Sequence, residues 1–126
     1  MAFLDRHAAL IMGITRIMVG LLLLEHGTAK LLHFPLVPDF ANGPLPPMVL
    51  ASGVIELVGG ALLALGLFSR IAAFICSGMM AVAYFMVHAP QGLYPILNGG
   101  ELAVVYCFLF LTLAAAGPGR LALNNK

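Results

Sequence analysis

Charge is what this sequence most lacks. Six Lys/Arg and five Asp/Glu among 126 residues leave it 9% charged, against roughly a quarter in an ordinary soluble domain. So few charges cannot cover a water-facing surface, which excludes a soluble globular protein. A formal net charge of +1 leaves no basic stripe, so no nucleic-acid partner is expected. Length excludes a catalytic domain outside the bilayer, because a membrane helix takes about 20 residues and four of them take most of the chain. Cysteine is scarce too. Cys76 and Cys107 fall in separate apolar runs with no CxxC, CxxCH or metal-ligand spacing. They read as small buried hydrophobes, no metal site is expected, and no redox compartment follows. Met1 to His7 is too short and too mixed in charge for a signal n-region, so the first apolar helix is expected to remain in the mature protein.

What is abundant is hydrocarbon: 62% hydrophobic residues and a mean hydropathy of +1.06. It gathers in four segments, about 8–32, 48–68, 70–88 and 100–117, each long enough to cross about 30 Å at 1.5 Å per residue. The expected fold is an all-α integral membrane four-helix bundle, one transmembrane domain over 1–126. Pro35, Pro38, Pro44, Pro46 and Pro47 between the first two helices predict a Pro-rich lid or re-entrant loop. Ser69-Arg70 is expected to make a tight turn, and the third connection carries Pro90, Gly92, Pro95 and Gly99. The fourth helix is expected to stop at Gly117-Pro118-Gly119. Arg6, Arg70, Arg120 and Lys126 lie at one set of helix ends and Lys30 at the other. The positive-inside rule then gives N-in, C-in, with both long loops exoplasmic and any site opening outward.

Ionisable groups inside a bilayer are costly and normally face a partner or a cavity. On the first helix Arg16, Gly20, Leu23, Gly27 and Lys30 share a face, with His26 one flank over. Ser52, Gly53, Glu56, Gly59 and Gly60 share one on the second helix, and Ala73, Ser77, Ala81, Tyr84 and His88 one on the third. Glu101, Phe108, Thr112 and Ala115 share one on the fourth. The glycines read as packing seams. None follows a strand, which excludes the Gly-rich cofactor loops. Arg16 and Glu56 each lie about 12 Å from a helix end and can meet near the midplane, and a structural ion pair is expected. His26, Lys30, Tyr84, His88 and Glu101 gather with Asn98 toward the outer surface, where they are candidates to surround a polar head group. The loop over residues 33–47 would cover them, and Phe34, Phe40 and Tyr94 would supply an apolar wall.

Several runs in order carry a family resemblance: Arg16 and Gly20 ahead of His26-Gly27-Thr28-Ala29-Lys30, Gly53-Val54-Ile55-Glu56-Leu57-Val58-Gly59-Gly60, Leu65 to Arg70, and Asn98-Gly99-Gly100-Glu101. Together they resemble the DoxX family over nearly the whole chain. The tail departs from it, with Ala122 and Asn124 where that family leads one to expect Ser and Asp. The resemblance implies a small four-helix protein of a bacterial cytoplasmic membrane. Its relatives are linked with quinol oxidation, thiosulfate:quinone oxidoreduction and oxidative-stress complexes. It also implies importance for Arg16, His26, Lys30, Glu56 and Glu101, without a mechanism.

The first reading is a membrane subunit of a redox system that holds a quinone or another apolar redox-active molecule. His26 or His88 would exchange protons and Lys30 would polarise a carbonyl, with a partner protein supplying the electron carrier. The alternatives are an assembly or partner-docking factor and a binder or transporter of a small amphipathic molecule. No intrinsic cofactor is expected. Haem on His26 and His88 fits the geometry of a bundle but is disfavoured, since paired histidines near helix ends usually occur without it. Besides the bilayer, a redox protein and further copies of the chain stand open as partners. A faint internal echo, an Arg followed by a His in the first and third helices and Glu-Leu early in the second and fourth, hints at two related hairpins.

Overall fold

The computed structural model describes residues 1–41 and 43–126, and among these every regular element is helical. The elements run α1 (Ala2–Arg6), α2 (Ala8–Leu31), α3 (Pro38–Ala41), α4 (Pro47–Leu65), α5 (Ser69–Ala83), α6 (Pro95–Asn98) and α7 (Glu101–Ala116). Proline and glycine set the boundaries. Pro47 opens α4 at a position where its missing N–H is no loss. Gly66 closes it in the left-handed region at φ 74°, with the Leu67 amide donating back to the Leu62 carbonyl at 3.0 Å. The second helix therefore stops three residues short of position 68, and the expected Ser69-Arg70 turn falls instead at 66–68, with Ser69 and Arg70 already in α5. Beyond α5 the chain widens into a π-helical turn over Tyr84–His88 and tightens into a 3₁₀ turn over Ala89–Gln91. Pro90 forbids a regular α-ladder there.

Among the described residues three helical runs are long and apolar enough to cross a membrane: Ala8–Leu31, Pro47–Leu65 and Ser69–Gln91. The apolar α7 has 16 residues, about 24 Å of helix. Ile14, Met18, Val58, Phe74 and Val105 stand on the outside, so the bundle presents hydrocarbon to its surroundings as a bilayer requires.

Two hairpins make the bundle, α2 against α4 and α5 against α7, joined along α4 and α5. Glycine sets the first seam. A Cβ on Gly20 would stand 2.7 Å from the Ala64 nitrogen, and one on Gly60 2.6 Å from the Leu24 nitrogen, so these backbones touch with no room for a side chain. Leu23, Leu63, Cys76, Phe110 and Leu113 fill the core between the hairpins.

Residues 117–126 fold back across one end of the bundle. The Arg120 amide donates to the Ala9 carbonyl at 2.9 Å, Asn124 to Gly66 at 3.1 Å, and Arg70 to Lys126 at 3.0 Å. The expected Arg16–Glu56 ion pair does not form. Arg16 is fully buried and gives Nε to the Leu63 carbonyl (2.8 Å), Nη1 to those of Pro118 and Arg120 (2.6 and 3.1 Å), and Nη2 to Leu121 (2.9 Å). A guanidinium fork can be satisfied by converging carbonyls as well as by a carboxylate, and the tail supplies them. The expected inner face of the fourth helix is likewise corrected. Glu101, Phe108, Thr112 and Ala115 are exposed, while Ala103, Tyr106, Phe110 and Leu113 are buried. Thr112 donates to its own helix at the Phe108 carbonyl, 2.8 Å away, so it faces outward with its hydroxyl satisfied.

Candidate functional site

The opposite, loop-bearing end of the bundle is open. Gly59 brings α4 onto α5, where a Cβ would stand 2.6 Å from Cys76 Sγ; further toward the loops a Cβ on Gly78 would meet nothing within 4 Å. From there toward the loops the hairpins part around a cavity of about 770 Å³. Leu23, Ile55, Met79, Met80 and Ala103 make it mostly apolar, and His26, Lys30, Ser52, Glu56 and His88 supply its ionisable and hydroxyl groups. Tyr106, stacked on Phe110 with ring centroids 5.6 Å apart, closes the α7 side.

Lys30 reaches across the α2–α4 seam. Its Nζ pairs with Glu56 Oε1 at 2.5 Å, donates to Ser52 Oγ at 2.9 Å and lies 5.5 Å from the Phe40 ring centroid. Ser52 Oγ passes its own proton to the Val49 carbonyl at 2.7 Å. A lone ammonium or carboxylate at this depth would be expensive, and the pair neutralises both. The carboxylate expected to lock Arg16 therefore serves Lys30, 14 residues further along α2 toward the loops.

The two histidines share one arrangement. His26 Nδ1 lies 2.8 Å from the Leu22 carbonyl and His88 Nδ1 lies 3.1 Å from the Asn98 carbonyl. A carbonyl only accepts, so each Nδ1 carries a proton. Neither Nε2 has a partner among the described residues, and both rings line the cavity. Asn98, only 3% exposed, organises the His88 side. Its Nδ2 donates to Tyr84 Oη (3.2 Å) and the Gly92 carbonyl (3.0 Å), and its Oδ1 accepts from the Gly100 amide (2.8 Å). Asn98 lies at the outer level that its place in the sequence implies, and it holds His88 and Tyr84 rather than lining the cavity. Its signal in the sequence is an amide side chain followed by two glycines where a helix must start.

Three of the five expected site residues, His26, Lys30 and His88, meet in the cavity, and Glu56 joins them. Two do not. Tyr84 sits behind His88, with ring centroids 6.3 Å apart, and its hydroxyl is held by Asn98. Glu101 is exposed in the first turn of α7, where water and the helix N-terminus favour a carboxylate. Of the expected aromatic wall only Phe40 lines the cavity, while Phe34 and Tyr94 are exposed.

The DoxX family model matches residues 11–89. The chain belongs to the DoxX family. That match spans α2, α4, α5 and the π-helical turn, and so takes in His26, Lys30, Glu56 and His88 of the cavity. This DoxX-family chain is also similar to an uncharacterized protein of Haemophilus influenzae, 48% identical over 127 residues, covering 98% of this chain and 95% of that protein. A second uncharacterized H. influenzae protein is 32% identical over 70 residues, 56% of this chain and 46% of its own length. No solved structure matches the chain. Where the family resemblance leads one to expect a tail acid, Asn124 Oδ1 accepts from the Phe68 and Lys126 amides at 3.1 Å each. Ala122 packs on Gly66.

Proposed function

We propose that this DoxX-family membrane protein is a subunit of a redox system that holds a quinone or similar apolar redox-active molecule in the cavity between its hairpins. The reading takes α7 as a fourth span and the chain as one transmembrane unit in a bacterial cytoplasmic membrane. Both termini and the tail then lie inside, and the Pro-rich loop and the cavity mouth lie outside, in keeping with Arg6, Arg70, Arg120 and Lys126 at one end. One observation carries it: a mostly apolar cavity of about 770 Å³ lined by His26 and His88, whose Nε2 atoms have no hydrogen-bond partner among the described residues. That volume suits a ligand with a ring and part of an apolar tail. Oxidation of a quinol releases two protons and two electrons. In this reading the protons pass to Nε2 of His26 and His88, and the electrons go to a carrier on a partner protein. Lys30 commits two of its three N–H donors to Glu56 and Ser52, which leaves one to polarise a carbonyl of the bound molecule.

The test is extraction without delipidation followed by mass spectrometry of what accompanies the folded protein. The expected result is about one lipid-soluble quinone per chain, lost in His26→Ala. An empty cavity with a stoichiometric protein partner would turn the reading to an assembly factor, and a bound lipid without redox chemistry would turn it to a binder or transporter.

A further inference from the structure

Resting on the reading of this cavity as a ligand site, we infer that the cavity also opens sideways into the bilayer between α4 and α5, and that its ligand is a tailed lipid that enters there and keeps its chain in the cleft. The wall residues fall into two groups by exposure. On the α2–α7 side Leu23, Ala103 and Tyr106 are buried, so that flank is shut. On the α4–α5 side Met48, Ala51, Ile75, Gly78, Val82 and Met86 line the same cavity and are exposed. A residue that is at once cavity wall and outer surface marks an opening. Depth decides which way it faces. Ile75 lies 13 residues before His88, about 20 Å along the helix, inside the run Ser69–Gln91 that is long and apolar enough to cross a membrane. Exposure that far from the loop end is exposure to hydrocarbon rather than to water.

Polarity changes along the same line. The groups that can bond a ligand stand on α2 and on the side of α4 that meets it: His26 with an Nε2 free of partners among the described residues, and Lys30, beside Glu56, with one of its three N–H uncommitted. All six residues at the cleft are apolar. A peptide or a sugar passing through it would leave its own polar groups unbonded, whereas a hydrocarbon chain exchanges one apolar surrounding for another. The cleft is continuous with the lipid-facing surface, since Ile71 and Phe74, one helical turn before Ile75 and Gly78, are exposed on α5. Its floor is the close approach of Gly59 to Cys76, and its width at Gly78 is space that a Cβ would not fill. A molecule with its polar head against the α2 wall and its chain running out between α4 and α5 matches both ends of this gradient.

The chain contains no tryptophan, so a single introduced indole reports on its own surroundings. Met79→Trp on the cavity wall and Phe74→Trp on the lipid-facing surface are compared after reconstitution of the purified protein into phosphatidylcholine vesicles with and without bromine on the acyl chains. Bromine quenches indole only on contact. Brominated lipid should quench Met79→Trp nearly as strongly as Phe74→Trp, and adding Gly78→Phe, which sets a ring in the cleft, should restore most of the lost Met79→Trp fluorescence. If Met79→Trp fails to fold, Ile55→Trp reports from the facing helix. A cavity indole untouched by brominated lipid while Phe74→Trp is quenched, or one quenched by aqueous iodide alone, overturns the inference, and a quinone extracted with the protein would still uphold the ligand site. Quenching by brominated lipid in a protein that carries no quinone from its membrane leaves the inference standing and removes the redox reading.

Discussion

Arg16 and His26 stand on the same helix, α2, and meet opposite treatment. Around Arg16 the tail end closes completely: Nε and both terminal nitrogens are bound to carbonyls, and the side chain is shut from solvent. Around His26 the loop end stays open, with one ring nitrogen bound and the other left without a partner beside a cavity. Both positions hold a costly polar group inside apolar helices. The lesson is that saturation, more than polarity, distinguishes a structural group from a candidate functional one in a bilayer. A side chain whose every valence is matched by its own protein has nothing left for a ligand.

The sharpest way to break the contrast is at Arg16. Arg16→Met leaves the carbonyls of Leu63, Pro118, Arg120 and Leu121 without their donor and should cost about 4 kcal/mol of stability. Unfolding in detergent measures it, and faster tryptic cleavage after Arg120 should report the loosened tail. Arg16→Lys should recover little, because a point ammonium cannot span the fork. A double-mutant cycle of Arg16 with Glu56 should give a coupling within about 0.5 kcal/mol of zero; a large coupling would restore the ion pair that the geometry denies.

Lys30 tests whether the loop end contains a structural element of its own. Lys30→Met strands Glu56, whose side chain is 3% exposed, and should destabilise by about 3 kcal/mol, while adding Glu56→Leu should restore much of the loss. A Lys30 variant as stable as the parent would mean the pair is not holding the seam.

Smaller effects should follow at glycine. Gly60→Ala pushes a methyl group against the Leu24 backbone and should cost about 2 kcal/mol. Gly78→Ala meets open space and should change stability by less than about 0.5 kcal/mol. Equal effects at the two sites would contradict the contrast between the closed α2–α4 seam at Gly60 and the open space beside Gly78. At His26→Ala, which removes one hydrogen bond, stability should fall by about 1 kcal/mol or less while ligand retention is abolished.

The helices were legible because hydropathy and the Pro/Gly breakpoints act locally. Expected segments 8–32 and 100–117 meet α2 (Ala8–Leu31) and α7 (Glu101–Ala116) to within a residue at each end. The glycine seam was legible as well, since Gly20 and Gly60 admit few readings in a membrane helix. Long-range pairing was not. Depth along a helix placed Arg16 and Glu56 at similar levels, yet no local signal says that residues 117–126 fold back to offer carbonyls, and backbone acceptors leave no mark in a sequence. The face of α7 was misjudged because polar residues were taken to point inward, and Thr112 satisfies itself on its own helix. At the cavity, His26, Lys30 and His88 were found as ionisable groups at one depth. Which of their valences remain uncommitted depends on rotamers and neighbouring carbonyls, which spacing does not encode.

The tail's grip on Arg16 also has a temporal side. Leu121, the last of the four acceptors, is synthesised 105 residues after Arg16, roughly 5 to 20 seconds later at ordinary translation rates. During that interval α2 must enter the membrane with a guanidinium that lacks most of its final acceptors. The nascent helix therefore has to wait near the interface, in the company of the insertion machinery, or with water drawn in around Arg16. Full burial of this residue waits for the tail, although Arg16 is made 105 residues before Leu121.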